Sequence, residues 1–169
     1  MKTIILLIIL LTPFELIYKI NYHPGDIYKY WFLPYLAEQE SNHHQFAYNT
    51  NSTASGKWQI TTTKNGGLQY WNDFHPKEQY LPADLFNCEI SRKIASWIIG
   101  QNLKIFNGNK ILAVNAYNMG VGNTRKNMIY YKYCVNILGA TIVQNYLKDF
   151  ILIRKSTNKK VLYVQSRDN

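Results

Sequence analysis

With 169 residues, 47% of them hydrophobic and 17% charged, the chain is long enough to bury a core without disulfide or metal support. That composition excludes both an intrinsically disordered protein and a polytopic membrane protein. The net charge of +9 is one-sided: residues 1–99 carry eight basic and eight acidic residues, and residues 100–169 carry eleven and two. A basic half suits a polyanion (nucleic acid, anionic membrane or cell-wall polymer) or serves only solubility, and charge alone does not choose.

The first element is an export segment over residues 1–22. Lys2 precedes the apolar run Ile4–Leu11, which Thr12, Pro13 and Glu15 break. These eight residues are too few for a membrane-spanning helix, which needs about 20, but they suit the apolar core of a secretory signal. No small-x-small cleavage site precedes Pro24, and no Cys follows the run, so a lipoprotein anchor is not expected. The signal-like segment points to the periplasm or cell envelope.

A folded domain is expected over 26–153. His23-Pro24-Gly25 is a breaker and Asp26 a cap for a helix over Ile27–Glu40, in which Pro34 marks a kink or the true first turn. The polar stretch Asn42–Lys57 reads as loop, Trp58–Thr63 as a short strand or turn, and 72–83 as surface loop. Asp84 is the expected N-cap of a long helix reaching about Phe106. Asn107-Gly108-Asn109 stops it and caps the next, Lys110–Met119, which Gly120 and Gly122 end. A last helical stretch spans Met128–Ile153 with a break at Gly139. A basic tail, 154–169, holds a β-like run at Val161–Val164. The expected fold is mostly α, a single domain with a small irregular or β lobe near residues 50–66.

Three separated stretches carry the chemistry: Gln39-Glu40-Ser41, Gly56-Lys57-Trp58-Gln59-Ile60 and Asn115-Ala116-Tyr117-Asn118-Met119-Gly120. Glu40 closes the first helix; walled by aromatic residues, its carboxyl would be desolvated, kept protonated and able to act as a general acid. Gln59 and Asn118 offer donors and acceptors without titrating, and Tyr117 adds a hydroxyl and a flat face. Each has a plainer alternative: a solvated helix-terminal Glu, or a Tyr-Asn pair packed at a helix end. Most glycosidases use two carboxylates. Here Glu38 projects from another side of the helix, and Asp73, Glu78, Asp84 and Glu89 have no motif support, so a one-acid mechanism is the simpler reading. His43 and His44 lack a third ligand, and His23 and His75 lack supporting spacing, so no metal is expected. There is no CxxC, HExxH or glycine-rich phosphate loop, and no cofactor is expected. Cys88 and Cys134 are the two cysteines, paired or free.

In order and spacing these stretches resemble the SLT-type lytic transglycosylases of bacterial peptidoglycan, within the lysozyme-like α(+β) fold. Gly-x-Trp-Gln, the Leu-Pro helix leading into Glu-Ser, and Gly67-Leu68 resemble the membrane-bound D subgroup. Tyr133 with Ile137 and Leu138 is similar to a later Tyr-x-x-x-hydrophobic helix, so the likeness covers about residues 33–140. The resemblance implies that Glu40 is the sole acid, later base, cleaving the β-1,4 bond between N-acetylmuramic acid and N-acetylglucosamine to a 1,6-anhydro product. It implies that Ser41 orients Glu40, that Gln59, Tyr117 and Asn118 line the cleft, and that Tyr133 contacts the acid or an N-acetyl group. Met119 departs from the small residue usual after Tyr-Asn. The implied partner is the glycan strand, in the setting of a secretion, conjugation or phage assembly, with no nucleic acid expected, since no reader motif accompanies the charge. The alternatives are a goose-type lysozyme or endolysin that uses water, and a non-catalytic wall-binding protein.

Overall fold

A computed structural model describes residues 30–126, 128–157 and 163–164, with side chains to residue 148. Helix α1 spans Leu33–Ser41. Pro34 lies in its first turn, where its missing N–H costs no hydrogen bond, so it starts the helix rather than kinking it. Residues 30–32 are not helical, and the remainder of the expected start, with the export segment and Asp26, lies outside the described residues. Phe32, Leu33, Leu36 and Ala37 are fully buried, which puts α1 through the core. Its end is sharp: Asn42 and His43 both take left-handed φ values, 50° and 61°.

The stretch expected as loop over 42–57 contains two strands. β1 (Tyr48–Asn49), β2 (Ala54–Ser55) and β3 (Ile60–Thr61) form an antiparallel sheet in that order. Tyr48 pairs with Ser55, and Ser55 with Ile60. Two-residue strands are too short to print an alternating pattern, and their turn residues dominate the composition. Asn49 Oδ1 accepts from the backbone N–H of Asn51 and Ser52 at 3.0 and 3.2 Å and closes the β1–β2 turn. Gly56 has φ 76°, and a Cβ there would lie 2.0 Å from the Leu85 carbonyl oxygen, so only glycine lets the lobe sit on the helical body.

Helix α2 (Gly67–Phe74) occupies ground expected partly as loop; Gly66-Gly67 opens it, with Gly67 N–H donating to Thr61 Oγ1 at 3.0 Å. Asp84 does not cap the long helix. It lies in a 3-10 turn, Pro82–Phe86, and accepts from Leu81 N–H at 2.7 Å. The N-cap of α3 (Cys88–Ile105) is Asn87, whose Oδ1 accepts from Glu89 and Ile90. Asp and Asn three residues apart both satisfy the capping pattern, and the proline turn decided between them.

Asn109 caps α4 (Lys110–Arg125), accepting from Leu112 N–H at 3.1 Å. Gly120, at φ 79° and ψ 154°, breaks α4 where an end was expected, but helical turns resume to Arg125. The expected helix from Met128 begins later, because Met128–Ile129 form β4, paired in parallel with β5 (Tyr163–Val164). Helix α5 is Tyr131–Leu138, Gly139 turns the chain at φ 88°, and α6 runs Ala140–Thr157, past the expected boundary at 153. Val161 and Leu162 of the expected β-like run lie outside the described residues. Ile94, Ala95 and Ile99 of α3, Val114 of α4, and Cys134 and Ile137 of α5 complete one core with α1. The expected mostly α fold with a small β lobe is the fold observed.

Candidate active site

Glu40 sits in the last turn of α1, half-buried, and its Oε1 accepts a hydrogen bond from the Tyr133 hydroxyl on α5. Two influences oppose each other on this carboxyl. Burial disfavours the charged form and dominates, while the Tyr133 hydroxyl favours it; the result is a pKa pushed up to about 7. Such a group is protonated in a large fraction of molecules near neutral pH and gains or loses its proton at little cost. Tyr133 and Tyr117 are both held well above the ordinary phenol range, first by burial and then by the neighbouring Glu40 charge. They stay neutral hydrogen-bonding groups.

A second link between α1 and α5 lies beside the first: Asn136 Nδ2 donates to Gln39 Oε1 at 2.6 Å. The end of α1 is also tied to the β lobe. Ser41 Oγ donates to the Lys57 carbonyl at 2.7 Å and, more weakly, to Ala37 at 3.3 Å. It therefore joins the end of α1 to the lobe. Trp58 is buried, with its Nε1 donating to the Leu33 carbonyl at 3.4 Å. Its own carbonyl accepts from the Tyr117 hydroxyl at 2.8 Å, tying α4 to the lobe.

Gln59 follows at φ 47°, and its Nε2 donates to the carbonyls of Ala47 and Gly56 at 3.2 and 3.1 Å. Its amide nitrogen thus folds the lobe together. Asn118 is exposed, next to Tyr117 and before the Gly120 break. The structure brings Glu40 and Tyr133 into contact and sets Tyr117 close enough to feel the acid's charge. Ser41 and Gln59 are engaged with backbone in the same lobe.

Four of the described acids have occupations elsewhere. Asp73 accepts from Gln69 at 2.6 Å, Glu78 pairs with Lys93 and Tyr80, and Asp84 and Glu89 serve helix starts. Half-buried His43 is held below its usual pKa, first by burial and then by the Lys57 charge, with Glu38 opposing. Both cysteines are free: Cys88 is half-buried, and the buried Cys134 thiol is pushed up to about 12.

One residue of the third stretch, quoted in the sequence without a role of its own, is built into the structure as well. Asn115 is fully buried, and it bonds Thr124, Met128 and Tyr130. Its signal was an amide flanked by Val114 and Ala116 in an otherwise apolar helical turn.

A helical body with a small antiparallel lobe is a lysozyme-like fold. The transglycosylase SLT domain model matches residues 28–133, and the chain belongs to that family. Among solved structures it is similar to an inactive mutant of the lytic transglycosylase Slt from Pseudomonas aeruginosa, at TM-score 0.52 and 18% identity, over 79% of this chain and 23% of that one. It is also similar to the 70 kDa soluble lytic transglycosylase from Escherichia coli, at TM-score 0.50 and 21% identity, over 76% and 22%. The chain thus spans under a quarter of either. Among curated proteins nothing matches.

Proposed function

We propose that this chain is a peptidoglycan lytic transglycosylase with Glu40 as its single general acid and base. The observation that carries this reading is the Glu40 carboxyl, raised to about 7 and held by the neutral Tyr133 hydroxyl, while Asp73, Glu78, Asp84 and Glu89 are engaged elsewhere. Protonated, Glu40 donates to the glycosidic oxygen between N-acetylmuramic acid and N-acetylglucosamine. The muramoyl N-acetyl oxygen attacks the anomeric carbon as that bond breaks, so no second carboxylate is required. Glu40, now ionised, takes the proton of the C6 hydroxyl, which displaces the N-acetyl oxygen and closes the 1,6-anhydro ring. A pKa near 7 suits a group that must both give and take a proton. Tyr117 and Asn118 line the cleft, with Gln59 shaping its lobe side.

The Leu33-Pro34 start of α1 and the Gly56-Lys57-Trp58-Gln59 run support a closer relation to the membrane-bound D subgroup. Lys2 and the apolar run Ile4–Leu11 support export to the periplasm or envelope, where the wall and the machines that cross it are found. Mass spectrometry of digested peptidoglycan is the test. Anhydromuropeptides that disappear in Glu40→Gln are expected; reducing-end muropeptides would make it a hydrolase, and wall clearing by Glu40→Gln would remove Glu40 as the acid.

A further inference from the structure

We propose that Asn115 is a positioning residue, clamping the chain ahead of α5 so that the Tyr133 hydroxyl meets Glu40; its bearing on catalysis rests on the function proposed above. Asn115 lies inside α4, two residues before Tyr117, and is completely buried. Its Nδ2 donates to Thr124 Oγ1 at 2.9 Å and to the Met128 carbonyl at 2.7 Å, and its Oδ1 accepts from Tyr130 N–H at 2.7 Å. Both amide hydrogens and the oxygen are engaged, on three points of the chain that follows.

Those three points run from the turn after the Gly120 break, through β4, to the N-cap of α5. Gly120 interrupts α4, and Thr124 Oγ1 secures the next turn by donating to the Gly120 carbonyl at 3.0 Å. Strand β4 is two residues long, in a two-stranded sheet. Helix α5 begins at Tyr131 without a side-chain cap, and the backbone N–H of its N-cap residue, Tyr130, is held by Asn115. Tyr133 is in the first turn of that helix, and its ring stacks on Tyr130 at 6.0 Å. A shift of Tyr130 is therefore a shift of the hydroxyl on Glu40.

The residue type matters. Aspartate has the shape but no hydrogens to give, and alanine removes the bonds that Asn115 makes to the Met128 carbonyl and the Tyr130 N–H. Because Asn115 and Tyr117 share α4, that helix holds the acid's partner through one residue and the lobe through the other. The titratable groups around Glu40 are Tyr133 from α5, with Cys134 behind it, and Tyr117 from α4; on the lobe side Lys57 acts on His43, as does Glu38 from α1.

The test is the titration of the Glu40 carboxyl, followed by its carbon-13 shift in the full chain. Tyr133→Phe removes a donor to the carboxylate, so the Glu40 pKa rises. Asn115→Ala is expected to raise it in the same direction, and the double variant to match Tyr133→Phe alone. In glycan turnover kcat should fall on the order of 10- to 100-fold, with KM changed less. A stability loss in Asn115→Ala with the Glu40 pKa unchanged, or additive effects in the double variant, would overturn the proposal. Should Asn115→Ala not fold, Thr124→Val keeps the volume and removes one acceptor. A smaller rise is then expected, and no rise refutes the clamp. The titration reads the Tyr133–Glu40 contact whether or not Glu40 is the acid, so an active Glu40→Gln would defeat the proposed function alone.

Discussion

The hydroxyl of Tyr133 reaches Oε1 of Glu40 across 93 residues of sequence, joining the first turn of α5 to the last turn of α1. The contact does two things to the acid. It fixes the carboxyl in one orientation, and it moderates the rise in pKa that burial imposes, leaving the group near 7. A carboxyl held higher would give its proton too reluctantly, and one held lower would be ionised before the sugar arrived.

Glu40→Gln should be more stable than the native chain at pH 8. The folded carboxyl has its pKa raised from 4.5 to about 7. Below pH 4.5 it is protonated folded and unfolded alike, and the native chain and the variant should melt together. As pH rises from 4.5 to 7, ionisation favours the unfolded chain, and the penalty is constant above 7. Its ceiling is about 3 kcal/mol. Thermal melts of both chains at pH 4 and pH 8 check this, and the native activity should fall as pH rises through 7.

Tyr117→Phe removes the donor to the Trp58 carbonyl and leaves that oxygen without its partner. A cost of about 1–2 kcal/mol is expected. Because this bond ties α4 to the lobe, the substrate side should loosen as well, with KM rising more than kcat falls. Chemical denaturation and saturation kinetics on the same preparation separate the two effects.

Gly56→Ala should be among the most damaging single substitutions on the lobe. It forces a side chain to φ 76° and sets a methyl against the Leu85 carbonyl. A loss of at least about 2–3 kcal/mol follows from the backbone conformation and the clash together. Circular dichroism melts check the size, and glycan binding should weaken even where the helical body stays folded.

Alkylation of the native chain should label Cys88 and spare Cys134. The first is half-buried, while the second is fully buried with its thiol pushed up to about 12. Mass spectrometry before and after denaturation should show one adduct and then two. A chain two mass units lighter with no adduct would mean a disulfide.

Local signals made much of the fold legible. Proline in a first turn, Asn109 as a cap, and the glycines at 120 and 139 mark chain events that depend on a few neighbouring residues. The β lobe was legible only as a small irregular or β region near residues 50–66; β1 and β2 were missed because two-residue strands have no period, and their placement rests on contacts such as Gly56 against Leu85. Asp84 and Asn87 are equally good caps by chemistry, and the packing of the proline turn chose between them.

For the site, the sequence by itself determined which groups are available: one acid at a helix end, an amide after Trp58, and a Tyr-Asn pair before a glycine. What they do was decided by the tertiary structure. Ser41 and Gln59 bond backbone in the lobe, Tyr133 meets the acid, and Asn115 ties the segment between them. A pKa near 7 depends on how much water the whole fold removes from one carboxyl and on a hydroxyl brought from another helix, and neither is a property of neighbouring residues in the chain.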